Sequence, residues 1–168
     1  IHNTTLGFLK NGIDLKVLSM NPSRNQIDAG SLSKDYLTHT KFEAVVVDTK
    51  VKPLQILLNF FKKESYFIER FKSKAFDSKL KFILSNDEYD VIQLEHLYLF
   101  LYVDLIRSRS KAKIVYRPQN VEYVIWERFL ENVKNPFKRY FLKIATKRLK
   151  KFETENSNKV DGIITLTP

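Results

Sequence analysis

The chain has 168 residues, 43% hydrophobic and 29% charged, with a net charge of +10, 13% aromatics and no cysteine. That length and apolar content support one folded domain rather than a disordered segment. The absence of cysteine excludes disulfides, thiolate zinc sites, iron–sulfur clusters and a cysteine nucleophile. Three scattered histidines, His2, His39 and His96, make no convincing metal site. The longest uninterrupted apolar run, Leu97 to Val103, falls far short of the roughly 20 residues that span a bilayer. No signal peptide is visible at the first residue, so a cytoplasmic location is expected.

The chain reads as alternating helical and strand-like segments. His2 to Lys10 has the look of a helix end, stopped by Asn11-Gly12. Ile13 to Met20 alternates like a strand and meets a turn at Asn21-Pro22. Phe42 to Asp48 carries the continuous run Ala44-Val45-Val46-Val47, the pattern of a strand covered on both faces. Helices are expected over 53–61 and 64–85, a buried strand over 89–94, and a further helix over 97–107. Lys113 to Arg117 reads as a strand, followed by a helix capped by Asn120. Asn135-Pro136 opens a long helix reaching about Asn156, and 161–166 forms the last strand.

Strands separated by helices imply crossover connections and a mainly parallel sheet. The expected fold is therefore α/β, a Rossmann-like three-layer domain spanning 1–168. The chain starts on a helix without the strand and Gly-rich turn that usually precede it, and stops just after a strand. Both features suggest a domain truncated at each end. Ligands of such sheets bind beyond the carboxyl ends of the strands. Here those ends are Leu94-Glu95-His96, Arg117-Pro118-Gln119-Asn120 and Thr165-Leu166-Thr167.

Charge is concentrated in two segments. Residues 134–151 hold eight Lys or Arg and no acid, and residues 62–81 hold seven basic against three acidic residues. Such segments suit membrane headgroups, nucleic acid or phosphorylated ligands, or are plain solvated faces. On the long helix, Phe137, Phe141, Ile144, Ala145 and Phe152 share one arc, with Arg139, Lys143, Lys147 and Lys150 opposite. Arg148 falls inside the apolar arc and must snorkel, pair with an acid or reach a ligand. Residues 60–83 interleave six Phe and one Tyr with seven cations. As a basic amphipathic helix this segment would seat at a headgroup boundary through Lys62, Lys63, Arg70, Lys72 and Lys74. Its rings equally suit covering one face of the sheet, which is the simpler use.

The runs YDVIQLEHLYLFLYV (89–103), KIVYRPQNVEYVIWERF (113–129), NPFKRYFLKIATKRLKKFE (135–153) and VDGIITLTP (160–168) together resemble the amino-terminal domain of glycosyltransferase family 4. Glu95-His96 and Arg117-Pro-x-Asn-Val-Glu, followed by Trp126-Glu127-Arg128, are the most specific elements. The resemblance covers about 80 residues from Tyr89 onward. It implies half of a GT-B fold and a retaining, metal-independent transfer from a nucleotide sugar to a glycan or lipid-linked acceptor. No cofactor is implied, since the nucleotide sugar is a substrate. The domain would hold the acceptor, while a carboxy-terminal domain, absent here, would hold the donor and carry two glutamates eight positions apart. No two glutamates in this chain have that spacing. Gln119 stands where many relatives have His, which removes acid–base chemistry from that position.

Glu95, His96, Arg117, Gln119 and Asn120 are accordingly the candidate acceptor or sugar cleft. Glu95 would accept a sugar hydroxyl or complement the next helix, and His96 would bind a hydroxyl or diphosphate oxygen. Arg117 would pair with phosphate, Glu122 or Glu95. Glu122, Tyr123 and Trp126 read as structural. Two rival functions remain: a nucleic-acid- or phosphate-binding α/β module, for which no specific nucleic-acid signature is present, and a dinucleotide-dependent oxidoreductase, for which no G-x-G-x-x-G is present.

Overall fold

The structure is a computed structural model that describes residues 2–24 and 26–165. It is α/β with every strand pairing parallel, and the strands form two small sheets. The chain divides into two compact units. The first comprises Ile1–Lys50 and Ser73–Ile83, the second Val51–Lys72 and Leu84–Pro168.

In the first unit, helix α1 (His2–Lys10) ends at Gly12, whose φ of 71° is the left-handed stop that Asn11-Gly12 predicts. Strand β1 (Leu18–Pro22) pairs with β2 (Glu43–Val47), Leu18 opposite Glu43 and Pro22 opposite Val47. The strand expected over 13–20 thus starts later and absorbs Asn21-Pro22, where a turn was expected. Asn21 leaves its side chain free to hold the loop beyond: Nδ2 donates to the Ile27 carbonyl at 2.7 Å and Oδ1 accepts its N–H at 2.9 Å. Between the strands lies α2 (Lys34–His39), capped by Ser33. In β2 only Val47 is fully buried, and Val46 is 53% exposed, so that strand is not covered on both faces. Lys16 and Lys79 both pair with Glu43 and hold its carboxyl below the usual range.

The expected helix over 64–85 is two helices, α4 (Tyr66–Glu69) and α5 (Lys74–Asn86). Serines explain the break. Ser73 Oγ accepts the Phe76 N–H at 3.3 Å and starts a new helix, a local alternative to continuing the old one. Ser65, fully buried, donates its hydroxyl to the Ala145 carbonyl at 2.8 Å.

In the second unit, α3 (Pro53–Asn59) and α4 precede a three-stranded sheet of order β3-β4-β5: Val91–Leu94, Lys113–Tyr116 and Gly162–Ile163. A 3-10 turn (Leu97–Tyr102) leads into α6 (Val103–Arg109), where one helix was expected. Helices α7 (Glu122–Glu131) and α8 (Pro136–Asn156) pack on each other. Asp161 accepts the Ile114 N–H at 2.8 Å and an Arg107 N–H at 2.7 Å, which fixes the approach of β5 to β4. The core includes Leu94, Phe100, Val103, Ile114, Tyr116, Ala145 and Leu149. Of the expected last strand, Leu166 lies outside the described residues.

The α8 core stripe runs through Leu142, Ala145, Leu149 and Glu153 rather than through Phe137, which is 86% exposed in the first turn. Arg148 resolves its expected conflict by hydrogen bonding. Nη1 donates to the Asn59 carbonyl at 2.7 Å and Nη2 to that of Phe60 at 2.9 Å, at the carboxyl end of α3.

Candidate functional site

Parallel pairing brings the carboxyl ends of β3 and β4 side by side, with Leu94 opposite Tyr116. The residues that follow therefore meet. Arg117 anchors its own N–H on the Leu94 carbonyl at 2.8 Å, and its Nη1 donates to Glu95 Oε2 at 2.8 Å. Gln119 Nε2 donates to the same oxygen at 2.8 Å, and Gln93 Nε2 donates to Oε1. Glu95 and Arg117 side chains are each 16% exposed. Of the partners open to Arg117 in the sequence, Glu95 is the one it takes. Glu95 thus accepts three side-chain donors and braces two loops.

His96 turns to the other side of its loop. Its ring stacks on Tyr98 (centroids 5.1 Å apart, 14° between planes), and Tyr98 stacks on Phe71 at 3.9 Å and 5°. Burial pushes the His96 pKa below its ordinary 6.5, more than the neighbouring Glu95 charge raises it. The imidazole is therefore neutral at pH 7, a hydrogen-bonding group rather than a cation. Tyr98 is pushed up to about 12 by burial and by the Glu122 charge.

These rings wall a cavity of about 250 Å³, completed by Phe67, Arg70, Glu122, Trp126 and apolar neighbours. Trp126 stacks on Phe67 at 3.9 Å, and the Arg70 guanidinium lies 5.1 Å from the Phe71 ring centre. Glu122 brings a carboxylate that has no hydrogen-bond or ion-pair partner among the described residues. Burial raises its pKa, and Glu153 raises it further. Sequence reasoning assigned Glu122 and Trp126 to structure and did not single out Phe67, Phe71 or Tyr98 for the site. The spacing of four between Phe67 and Phe71, with Tyr98 two residues beyond His96, was the available signal.

Asn120 does not cap α7. Val121 holds the cap position without a side-chain bond, and Asn120 is exposed. The Glu153 carboxylate takes over, accepting the N–H groups of Glu122 at 3.2 Å and Tyr123 at 3.1 Å. A full charge beside two orphan amides outcompetes a neutral amide from a neighbouring residue. Thr165 is exposed, while Leu166 and Thr167 lie outside the described residues.

The cations of the proposed headgroup segment are mostly engaged. Lys62 pairs with Glu69, and Lys72 with Glu64 at 2.6 Å; Lys63 is exposed. Lys74 opens α5 and is exposed. Phe76 is buried, Phe60 packs edge-on against Phe141, and Phe61 is 88% exposed. Among the described residues no group of three or more His, Asp or Glu is placed to hold a metal ion. No helix among them is long and apolar enough to cross a membrane.

No family model, no curated protein and no solved structure matches the chain.

Proposed function

We propose that residues 1–168 form a Rossmann-like three-layer domain, the acceptor-side half of a retaining GT-B glycosyltransferase that moves a sugar from a nucleotide sugar to a glycan or lipid-linked acceptor. The donor domain would be a further part of the protein, and the enzyme would work at the cytoplasmic face of a membrane as a peripheral protein. The observation that carries this reading is the aromatic cavity beyond β3. Trp126, stacked on Phe67 alone among the described residues, offers a flat apolar surface to sugar C–H groups, while His96 and Glu122 offer hydrogen-bonding atoms to hydroxyls. Its size suits a single sugar ring rather than a nucleotide. The motif resemblance from Tyr89 onward points the same way. Within this reading the Glu95–Arg117–Gln119 cluster fixes the two loops, and the cavity orients the acceptor hydroxyl for attack.

The test is hydrolysis of a panel of nucleotide sugars by the full-length gene product, with and without anionic lipid, beside the 168-residue chain. Turnover of one donor by the full-length protein and none by residues 1–168 supports the assignment. A full-length protein that neither hydrolyses nor binds any donor overturns it.

A further inference from the structure

Helices α7 and α8 enclose a second cavity, of about 450 Å³, that the glycosyltransferase reading leaves unused. Its α8 wall carries Arg139, Lys143, Lys147 and Lys150 around Thr146. At ~100° per residue these five positions fall within an arc of about 100°, and residues four apart rise by ~6 Å. They therefore form one continuous face. Lys150 is engaged with Glu127 at 3.5 Å and lies 4.5 Å from the Tyr123 ring centre. The side chains of Arg139, Lys143 and Lys147 have no hydrogen-bond or ion-pair partner among the described residues.

Beneath them sits an unusual group. Thr146 is 3% exposed, and its Oγ1 makes no hydrogen bond among the described residues. A buried helical hydroxyl commonly bonds back to a carbonyl one turn earlier, and one left unsatisfied is destabilising. Valine would fill the same space without that penalty. The position makes physical sense when the hydroxyl serves something that enters the groove.

The opposite wall constrains what that is. Glu127 and Glu131 from α7 face the same cavity. A long polyanion such as nucleic acid would meet these carboxylates along its length. A single phosphate attached to a neutral, hydroxyl-bearing body places its charge on the cations and its hydroxyls against the acids. We propose that the α7–α8 groove binds a phosphate ester of a polyol, its phosphate held by Arg139, Lys143 and Lys147 above Thr146 and its hydroxyls donated to Glu131. This goes beyond the glycosyltransferase reading and does not depend on it.

The chemistry is shared by soluble sugar or glycerol phosphates and by phospholipid headgroups, so the experiment has two arms. The 168-residue chain is titrated calorimetrically with glycerol 3-phosphate, and sedimented with phosphatidylglycerol vesicles against phosphatidylcholine controls. Saturable one-to-one binding in the first arm identifies a soluble ligand. Binding confined to phosphatidylglycerol vesicles identifies a headgroup. Either result supports the proposal when Arg139→Ala/Lys143→Ala weakens binding at least ~10-fold and Thr146→Val weakens it ~5-fold, the loss of one hydrogen bond. Thr146→Val preserves shape, and an unreduced melting temperature verifies its fold. Absence of binding in both arms, indifference to both variants, or displacement of the ligand by a short oligonucleotide overturns the proposal.

Discussion

The Glu153 carboxylate, on the long helix α8, caps helix α7 by accepting the backbone N–H of Tyr123 at 3.1 Å and that of Glu122 at 3.2 Å. One acid in a strongly basic helix thus supplies the cap that the residues before α7 do not. Replacing Glu153 with Ala removes both bonds and is expected to cost about 1–2 kcal/mol, the usual value of a lost helix cap. Gln retains one acceptor oxygen and should cost less. Chemical denaturation of the two variants at pH 7 checks the order.

The same carboxylate sets a pH dependence. Burial raises the pKa of Glu122 above the ordinary 4.5, with the Glu153 charge adding to it; burial also raises Glu153, against the opposing bonds from the two N–H groups. Folded-state values above the unfolded ones mean that these acids contribute stability fully present below pH 4.5 and lost as pH rises through the folded values. Glu122→Gln removes the like-charge repulsion. Its melting temperature should exceed that of the parent at pH 7–8 and converge with it near pH 4. Taking the difference between variant and parent cancels groups of the opposite sign, such as Glu43, which lose stability as pH falls.

Arg117 is the natural place to test the brace between the strand ends. Its pair with Glu95 is largely buried, and Gln119 and Gln93 leave Glu95 with two neutral donors when the guanidinium is removed. Arg117→Ala should cost about 1–3 kcal/mol, the range for losing a charge-assisted bond. Arg117→Lys should recover only part, because an ammonium cannot donate in the guanidinium's plane while its backbone N–H stays on Leu94. Urea unfolding of the three proteins gives the ranking.

How much of this was legible in the sequence depended on the range of the interaction. Gly12, Asn135-Pro136 and the apolar run of β4 act within a few residues, and each element they predict is present. Asn120 had the right chemistry for a cap but lost to Glu153, which only folding brings close. The placement of Glu95, Arg117 and Gln119 at adjacent strand ends followed from parallel pairing, yet their convergence on one carboxylate did not. The cavity draws its polar atoms from His96 and Glu122 instead. The break of the 64–85 helix at Ser73 was hidden for a different reason: Phe, Lys and Arg periodicity continues across it, and one serine decides the outcome.

Arg148 presents a polar head where apolar periodicity calls for a hydrophobic residue. Its three donated bonds reach the Asn59 carbonyl, the Asn59 Oδ1 and the Phe60 carbonyl, while Asn59, fully buried, donates onward to Glu64 and Glu69. Arg148→Leu fits the apolar stripe but takes the donor from the Phe60 carbonyl and Asn59 Oδ1, while the Asn59 carbonyl keeps the Lys62 N–H at 3.0 Å. The expected loss is about 2–3 kcal/mol despite the gain in hydrophobicity, because each stranded buried acceptor carries its own desolvation penalty. A stabilised Arg148→Leu protein in thermal denaturation would contradict this assignment.

Trp126 is the only tryptophan in the chain and it lines the aromatic cavity, so the protein carries its own reporter. A sugar acceptor that enters should change Trp126 emission. The burial-lowered pKa of His96 keeps the imidazole neutral at pH 7–8, so affinity should be flat over that range. Glu122 titrates above the ordinary glutamate value, and its ionised form is the better hydroxyl acceptor, so affinity should fall as pH drops through the glutamate range. Glu122→Gln should remove the Glu122 part of that acid limb, leaving any protonation of His96, and weaken binding ~10-fold at pH 7, the loss of a hydrogen bond to a charged group. Tyr98→Ala should weaken binding at every pH by removing the ring that holds His96 and Phe71 in the cavity wall, while leaving the Glu122 acid limb in place. Emission titrations of parent and both variants, at pH 4.5, 6 and 7.5, separate the polar contribution of Glu122 from the apolar one of Tyr98.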